Sequence, residues 1–272
     1  MPGLFSKTTH LPLRIIAVIA VAALAACGVV GTVGEGAVSD APAVQGGDQG
    51  TTVSPFITDG QPDPGHPSVG RLSSQGSGCT ATLIGKRTVL TAAHCVHGQS
   101  ATFTLGGTPH HAASIVRHPG YGGGNHNDLA LITLQGQVQG VTPSPIHTGA
   151  PHTGQAITLV GYGKTGEYNN DYGTKRVGLN TISMVGQTTF SFTGKGNVCN
   201  GDSGGPTFVN LGGQEVVAGV HSTKSGMCGT GGTDMRVDAY RQWIVQTAGG
   251  DVVLPGGGNP GGGAPPPPQH DP

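Results

Sequence analysis

The amino-acid sequence predicts an all-β fold, and its composition and strand pattern both support this class. Glycine accounts for 51 of the 272 residues, whereas aromatic residues make up only 4% of the chain. Short segments rich in β-branched residues also alternate with glycine-rich gaps through most of the sequence. Many short strands joined by glycine-rich turns produce this profile, and the chain is long enough to bury a sizeable core.

Nine segments are predicted to form strands, because they combine β-branched residues with glycine-rich boundaries. In chain order they are Ser77–Ile84, Thr88–Ala92, Ala101–Leu105, Ala112–Arg117, Leu129–Leu134, Ala156–Val160, Thr188–Phe192, Pro206–Val209 and Val216–Val220. One helix is predicted over Asp238–Gln246, because Tyr240, Trp243 and Ile244 recur there at helical spacing.

The charge balance excludes several classes of partner. The net charge is −1 and only 10% of residues are charged, so no basic face for nucleic acid is expected. Twelve histidines are present, but apart from His110 and His111 they are scattered, and none falls in an H-E-x-x-H spacing. We therefore expect neither a metal site nor a cofactor.

Residues 1–26 are predicted to be a signal peptide. Basic residues precede an apolar run from Ile15 to Ala26, which is short for a transmembrane helix. The run ends in Leu-Ala-Ala followed by Cys27, which resembles the bacterial lipobox. This resemblance implies that Cys27 is lipidated, whereas ordinary signal-peptidase cleavage after Ala25 or Ala26 is the alternative. We expect an exported bacterial protein that a lipid anchors in the cell envelope.

Two further segments flank one folded domain, which is predicted over residues 57–248. Residues 27–56 show no sustained periodicity and are predicted to be a flexible tether and pro-segment. Residues 249–272 are rich in glycine and proline, a composition that cannot bury a core. The prediction for this tail is disorder.

Two motifs supply the parts of a nucleophilic site. Gly201–Pro206 reads Gly-Asp-Ser-Gly-Gly-Pro around Ser203, and Thr91–Cys95 reads Thr-Ala-Ala-His-Cys around His94. A serine hydroxyl is a poor nucleophile until a base takes its proton, and glycines let backbone N–H groups approach a developing oxyanion. A carboxylate must orient that base, and Asp128 is the best candidate.

These segments resemble the chymotrypsin/trypsin-like serine protease family over roughly residues 57–245. Asn-Asp-Leu-Ala-Leu-Ile around Asp128 and His-Pro-Gly-Tyr from His118 match family stretches, and the order His94, Asp128, Ser203 is the chymotrypsin order. The resemblance implies two antiparallel six-stranded β-barrels with a C-terminal helix and the three residues in the cleft. It also implies a monomeric serine endopeptidase that acts on protein or peptide substrates.

The resemblance assigns further residues around the nucleophile. The backbone N–H groups of Gly201 and Ser203 would form the oxyanion hole. Ser222 matches the family serine that donates a hydrogen bond to the triad aspartate and begins the substrate-pairing segment. An ordinary strand serine is the alternative for Ser222.

The family also pairs the cysteines that correspond to four of the five in this chain. Cys79 with Cys95 brackets the histidine motif, and Cys199 with Cys228 braces the nucleophile loop. Two disulfides imply an oxidising compartment, and free buried thiols are the alternative. The fifth cysteine, Cys27, is the predicted lipidation site.

Activation by proteolysis is a second implication of the resemblance. In the active family enzymes a newly exposed N-terminal amine pairs with the aspartate that corresponds to Asp202. The matching start is Ile57, after cleavage at Phe56, although Thr58 and Asp59 depart from the family sequence. The alternative is an N-terminus that does not insert. If Cys27 is lipidated, the same cleavage would also release the domain from the membrane.

Substrate preference depends on three candidate residues. Asn197 stands where trypsin-type enzymes carry aspartate, Lys224 lies near a wall position usually occupied by glycine, and Asp234 lies near the expected pocket base. Asn197 favours a preference other than Arg or Lys, whereas Asp234 would restore one. Loop or surface roles are the alternative for all three, and His221 is interpreted as a strand residue without a role.

Two other functions remain open from the sequence. A catalytically silent homologue would act as an extracellular binding module, but such proteins usually lose the serine or the histidine. An esterase would use the same three residues, since the acyl chemistry is shared.

Overall fold

A computed structural model of the chain describes residues 57–58, 60–194 and 196–257. The predicted signal peptide, the tether, Cys27 and the cleavage site after Phe56 lie outside the described residues, as does the tail from residue 258. No helix among the described residues is long and apolar enough to cross a membrane.

The first half of the described chain forms a closed barrel of six antiparallel strands. The strands follow the order β2-β3-β4-β7-β6-β5 around the barrel. They are β2 Val69–Ser74, β3 Ser77–Leu83, β4 Thr88–Thr91, β5 Thr102–Leu105, β6 Thr108–Arg117 and β7 Ala130–Leu134. Fully buried side chains such as Leu72, Leu90 and Phe103 fill the core, and their burial is the main force that closes the barrel.

The second half forms one eight-stranded sheet in the order β1-β9-β8-β12-β13-β14-β11-β10. These strands are β1 Gln61–Pro62, β8 Ala156–Gly161, β9 Arg176–Thr181, β10 Met184–Val185, β11 Thr189–Thr193, β12 Pro206–Leu211, β13 Gln214–Lys224 and β14 Gly231–Arg236. The predicted fold class is confirmed. The expected second six-stranded barrel appears as a larger sheet, because two-residue strands extend it at both edges.

The C-terminal helix α1 spans Arg241–Thr247, three residues shorter at its start than the sequence predicts. Its Ile244 is fully buried, and the tyrosine that caps it, Tyr240, is 7% exposed. The chain stays packed beyond the helix, since Val252 is buried and Val253 N donates to the carbonyl of Ile84. The predicted domain end at residue 248 is therefore too early, and the packed chain continues through at least Leu254.

Asp251 attaches this C-terminal segment to the start of β4. Its carboxylate accepts hydrogen bonds from Lys86 N (2.8 Å), Arg87 N (2.8 Å) and Thr88 Oγ1 (2.9 Å). Hydrogen bonds to a charged acceptor are stronger than neutral ones, so this residue is a strong attachment point.

We predict that Asp251→Ala lowers the free energy of unfolding by about 2 kcal/mol, because three donors lose a charged acceptor. Urea unfolding monitored by circular dichroism measures the change. Gln139→Ala, at an exposed position in the loop after β7, is the control and is expected to leave stability unchanged. An equal effect of both substitutions contradicts the attachment.

Candidate active site

His94 lies in a short 3-10 turn, Ala93–Cys95, directly after β4. The flanking Ala93 and Cys95 are buried, whereas the His94 side chain is 33% exposed. A disulfide joins Cys95 to Cys79 on β3, as the family resemblance implies, and fixes the turn against the barrel. The base candidate is therefore held by buried neighbours while its ring remains accessible.

Asp128 is brought to His94 by strand pairing, since β4 lies next to β7 and Asp128 ends the loop before β7. The carboxylate is fully buried. Its Oδ1 accepts a hydrogen bond from His94 N at 2.9 Å, and its Oδ2 lies 2.7 Å from His94 Nδ1. Ser222 Oγ donates to the same Oδ2 at 2.6 Å. The imidazole is thus fixed in one orientation by a buried anion.

The turn that presents Asp128 is held by the preceding residue. Asn127 adopts a φ of +52°, a left-handed conformation that asparagine tolerates better than most residues. Its Nδ2 donates to the carbonyl of Gly120 at 3.0 Å, and its Oδ1 accepts from the Tyr240 hydroxyl at 2.8 Å. The C-terminal helix therefore supports the aspartate loop through its capping tyrosine.

Ser203 lies in the loop before β12, which packs against the histidine side of the barrel. Thr80 N donates to the carbonyl of Ser203 at 2.9 Å. A Cβ atom on Gly204 would lie 2.1 Å from Thr91 Oγ1, so only glycine allows this approach. The loop is braced by the predicted Cys199–Cys228 disulfide. Among the described residues no hydrogen bond joins Ser203 Oγ to His94.

The backbone around Ser203 presents two N–H groups. Gly201 has a φ of +100°, and its carbonyl accepts a hydrogen bond from Thr80 Oγ1 at 2.9 Å. A Cβ atom there would lie 2.6 Å from the Tyr172 ring, so this position requires glycine on both grounds. Within the described chain, the N–H groups of Gly201 and Ser203 donate to no acceptor, which leaves them available to a ligand.

Asp202 is fully buried behind the nucleophile loop. Its carboxylate accepts hydrogen bonds from Gly163 N (2.7 Å) and Cys199 N (2.9 Å). Burial away from water nevertheless raises the pKa of Asp202 to about 6, well above its ordinary value. The side chain of Ile57 is also fully buried, in the apolar cluster of the second sheet that includes Phe190 and Val198.

A pocket opens beside Ser203. It is lined by Val198, Cys199, Asn200, Ser203, His221, Ser222, Thr223 and Lys224. The Lys224 ammonium lies 2.7 Å from the Glu167 carboxylate, so the rim of the pocket carries an ion pair. Of the three predicted specificity residues, Lys224 is the one that lines this pocket.

The other two candidate specificity residues, Asn197 and Asp234, do not line this pocket. Asn197 is fully buried, with its side chain bonded to Gly194 O (3.3 Å) and Val198 N (3.0 Å). Asp234 is fully buried as well and lies behind His221, one of the residues that line the pocket. Both side chains form hydrogen bonds inside the protein, as buried polar groups usually do.

His221 is a residue that the sequence interpretation missed. It lies on β13 directly opposite Asp234 on β14, and its Nδ1 is 3.0 Å from Asp234 Oδ1. Thr207 Oγ1 donates a short hydrogen bond to Asp234 Oδ2. A histidine at the end of the otherwise apolar run Val216–Val220 was the available signal, because a buried imidazole needs a polar partner.

One cluster of metal-type ligands occurs among the described residues, but it does not fit a metal. The sulfur atoms of Cys79 and Cys95 lie with a ring nitrogen of His94 within 4.8 Å of one another. Both sulfurs are joined in a disulfide, and a metal binds the thiolate form.

Comparison with known proteins agrees with this architecture. A family model described as Trypsin matches residues 57–244. Chymotrypsin from Phaedon cochleariae is 31% identical over 198 residues, which cover 61% of this chain and 70% of that protein. Serine protease SP24D from Anopheles gambiae is 27% identical over 200 residues, covering 62% of this chain and 71% of its own.

Solved structures give the same result. Neuropsin, a serine protease expressed in the limbic system of mouse brain, superimposes with a TM-score of 0.60 at 25% identity, over 67% of this chain and 94% of its own. Human heparin binding protein superimposes with a TM-score of 0.63 at 23% identity, over 72% of this chain and 98% of its own, and shows likeness of fold.

Fold and sequence together define a trypsin-like serine protease class. The chain belongs to the trypsin family, whose model covers more than half of its length. The relatives named above are animal proteins, so they do not bear on the expected bacterial origin or on lipidation.

The raised pKa of Asp202 predicts how stability depends on pH in the uncleaved chain. A group whose pKa is higher in the folded state stabilises the fold below its unfolded pKa, and this contribution is lost as pH rises through about 6. Relative to Asp202→Asn, the wild-type free energy of unfolding should therefore fall by up to about 3 kcal/mol between pH 4 and 7.

Urea unfolding of both chains at pH 4, 5, 6 and 7 tests this prediction. Other titrating groups are common to the two proteins, so the difference between them isolates Asp202. Parallel pH profiles for wild type and variant contradict the assignment.

Proposed function

We propose that this protein is a serine endopeptidase that hydrolyses peptide bonds through an acyl-enzyme intermediate. The observation that carries the proposal is the fully buried Asp128 carboxylate, which binds His94 at two atoms and Ser222 at a third. A buried carboxylate at Nδ1 orients the imidazole so that its other nitrogen can accept a proton. The loop before β12 carries Ser203 next to Gly204 and two residues after Gly201, which lets backbone N–H groups approach a developing oxyanion.

In the proposed reaction Ser203 Oγ attacks the carbonyl carbon of the scissile peptide bond. His94 Nε2 accepts the hydroxyl proton, and Asp128 stabilises the resulting imidazolium through Nδ1–H. The N–H groups of Gly201 and Ser203 stabilise the oxyanion. His94 then donates the proton to the leaving amine, which leaves the acyl-enzyme. In the second half, water gives a proton to His94 and attacks the acyl carbon, and His94 returns that proton to Ser203 Oγ as the carboxylic acid product leaves.

Cleavage after Phe56 is the proposed activation step. The new ammonium of Ile57 would form an ion pair with the buried Asp202 carboxylate. The hydrogen bonds that Asp202 accepts come from backbone N–H groups, which carry no net charge. The full burial of Ile57 supports this proposal, because the residue already packs in the second sheet. The pairing would lower the pKa of Asp202 from about 6 and hold the nucleophile loop in one conformation.

Export and anchoring complete the proposal. A lipid on Cys27 would hold the uncleaved chain at the bacterial cell envelope, and cleavage after Phe56 would activate and release the domain together. The apolar run before Cys27 supports this part of the proposal. A silent binding module and an esterase are the competing functions, and peptide hydrolysis distinguishes both from an endopeptidase.

Substitution of the nucleophile tests the reaction. Ser203→Ala should lower kcat for peptide hydrolysis by roughly a million-fold, and Asp128→Asn by roughly ten-thousand-fold, because the base loses its orientation. Ser100→Ala, at an exposed position, should leave kcat unchanged. Peptide hydrolysis that survives Ser203→Ala contradicts the mechanism.

Amino-terminal sequencing of the active form tests activation. We expect active enzyme in the soluble fraction to begin at Ile57, and the cleaved Asp202→Asn variant to lose at least about 100-fold in kcat, because its oxyanion hole is no longer fixed. Active enzyme that still begins at a lipidated Cys27 in the membrane fraction contradicts both activation and release.

A further inference from the structure

The pocket beside Ser203 is lined by basic and neutral side chains. Lys224 and His221 are its ionisable members, and its remaining lining residues carry no carboxylate. The two aspartates nearest to it point into the protein: Asp234 toward His221, and Asp202 toward the backbone of Gly163 and Cys199. A pocket with this lining attracts a negative charge more readily than a positive one.

One ring nitrogen of His221 is available to a ligand. Only 2% of the residue is exposed, and its Nδ1 is bonded to Asp234. Its Nε2 is buried and makes no hydrogen bond of good geometry within the described parts of the chain, although the backbone carbonyl of Val160 lies near enough to favour the protonated ring. Buried polar atoms are nearly always paired, so an unpaired one in the wall of a pocket points to a partner that arrives with the substrate.

Asp234 determines which kind of partner fits. Burial opposes protonation of His221, but the Asp234 and Asp202 carboxylates outweigh burial and raise the pKa of His221. The protonated ring donates Nδ1–H to Asp234, so its remaining Nε2–H is also a donor. Thr207 Oγ1 holds Asp234 from the other side and keeps the carboxylate facing the ring. Asp234 thus favours the form of the ring that offers a charged donor at the pocket wall.

We propose that this pocket selects a glutamate or aspartate side chain at P1, the residue whose carbonyl is cleaved. His221 is the specificity-determining residue, and the Lys224 ammonium at the rim offsets the charge of the neighbouring Glu167 carboxylate. This inference rests on the proposed endopeptidase activity and names its substrate class. A P1 carboxylate satisfies the unpaired Nε2–H, whereas an uncharged amide is a weaker acceptor and an apolar side chain leaves the donor unpaired.

Wild-type enzyme tests the proposal with peptides that differ only at P1, carrying Glu, Gln, Asp, Leu or Arg. Glu and Gln have nearly the same shape, so their comparison isolates the charge. We expect kcat/KM for Glu to exceed that for Gln by on the order of 100-fold, and that for Leu or Arg by more. Equal cleavage of Glu and Gln, or a preference for Arg, overturns the proposal.

A pair of histidine variants assigns the residue. His221→Leu should reduce the Glu-to-Gln ratio to about three or less while changing kcat/KM for the Leu peptide only a few-fold. The matched control is His147→Leu, which removes another buried histidine with an unpaired ring nitrogen, outside the pocket, and should keep the ratio. A ratio that survives His221→Leu overturns the role of His221.

Two further measurements distinguish failure of this inference from a folding defect and from failure of the proposed function. If His221→Leu does not fold, Lys224→Gln at the rim should still lower the Glu-to-Gln ratio of kcat/KM several-fold. The profile of the wild-type enzyme alone decides whether an acidic P1 residue is preferred. Cleavage of the Gln or Leu peptides without a preference for Glu overturns this inference but leaves the endopeptidase function intact. Failure to cleave any peptide overturns the proposed function and this inference with it.

Discussion

The buried carboxylate of Asp128 is the interaction on which the site depends. It is fully excluded from water, and it is satisfied by three donors from two parts of the fold: His94 N and Nδ1 beside the barrel, and Ser222 Oγ on the second sheet. A buried anion is costly unless it is fully hydrogen-bonded, so any movement of the barrel relative to the sheet at this point would leave it unpaired. The carboxylate therefore holds the imidazole in place and joins the two halves of the domain.

Asp202 and Asp234 are buried as deeply as Asp128 but have different partners. Asp202 has two backbone donors, which do not neutralise its charge, and burial raises its pKa to about 6. Asp234 faces the imidazole of His221 and the hydroxyl of Thr207. Buried carboxylates with different partners can serve different purposes. We propose that Asp128 orients the base, that Asp202 responds to a new N-terminal amine, and that Asp234 contributes to substrate recognition through His221.

The sequence predicted the parts of the site that lie in short local motifs. The turns around His94, Asp128 and Ser203 and both disulfides are present in the structure, and the nine β-branched segments all lie on strands. Five strands were not predicted: β1, β2, β9, β10 and β14. Strand β14 was missed because its glycines and charged residues are typical of a loop. The contact between Asp234 and His221 was not predicted, because it is set by the β13–β14 register, which pairs residues distant in sequence and carries no local signal.

The most direct test of this account is covalent labelling by a fluorophosphonate probe, followed by intact-mass and peptide mapping. The account predicts one probe adduct per chain, on Ser203, and a rate of labelling that falls by at least about 1,000-fold in His94→Ala even though the serine is still present. An unlabelled Ser203 in the chain that begins at Ile57, or labelling that is undiminished in His94→Ala, would show that Asp128 and His94 do not activate this serine.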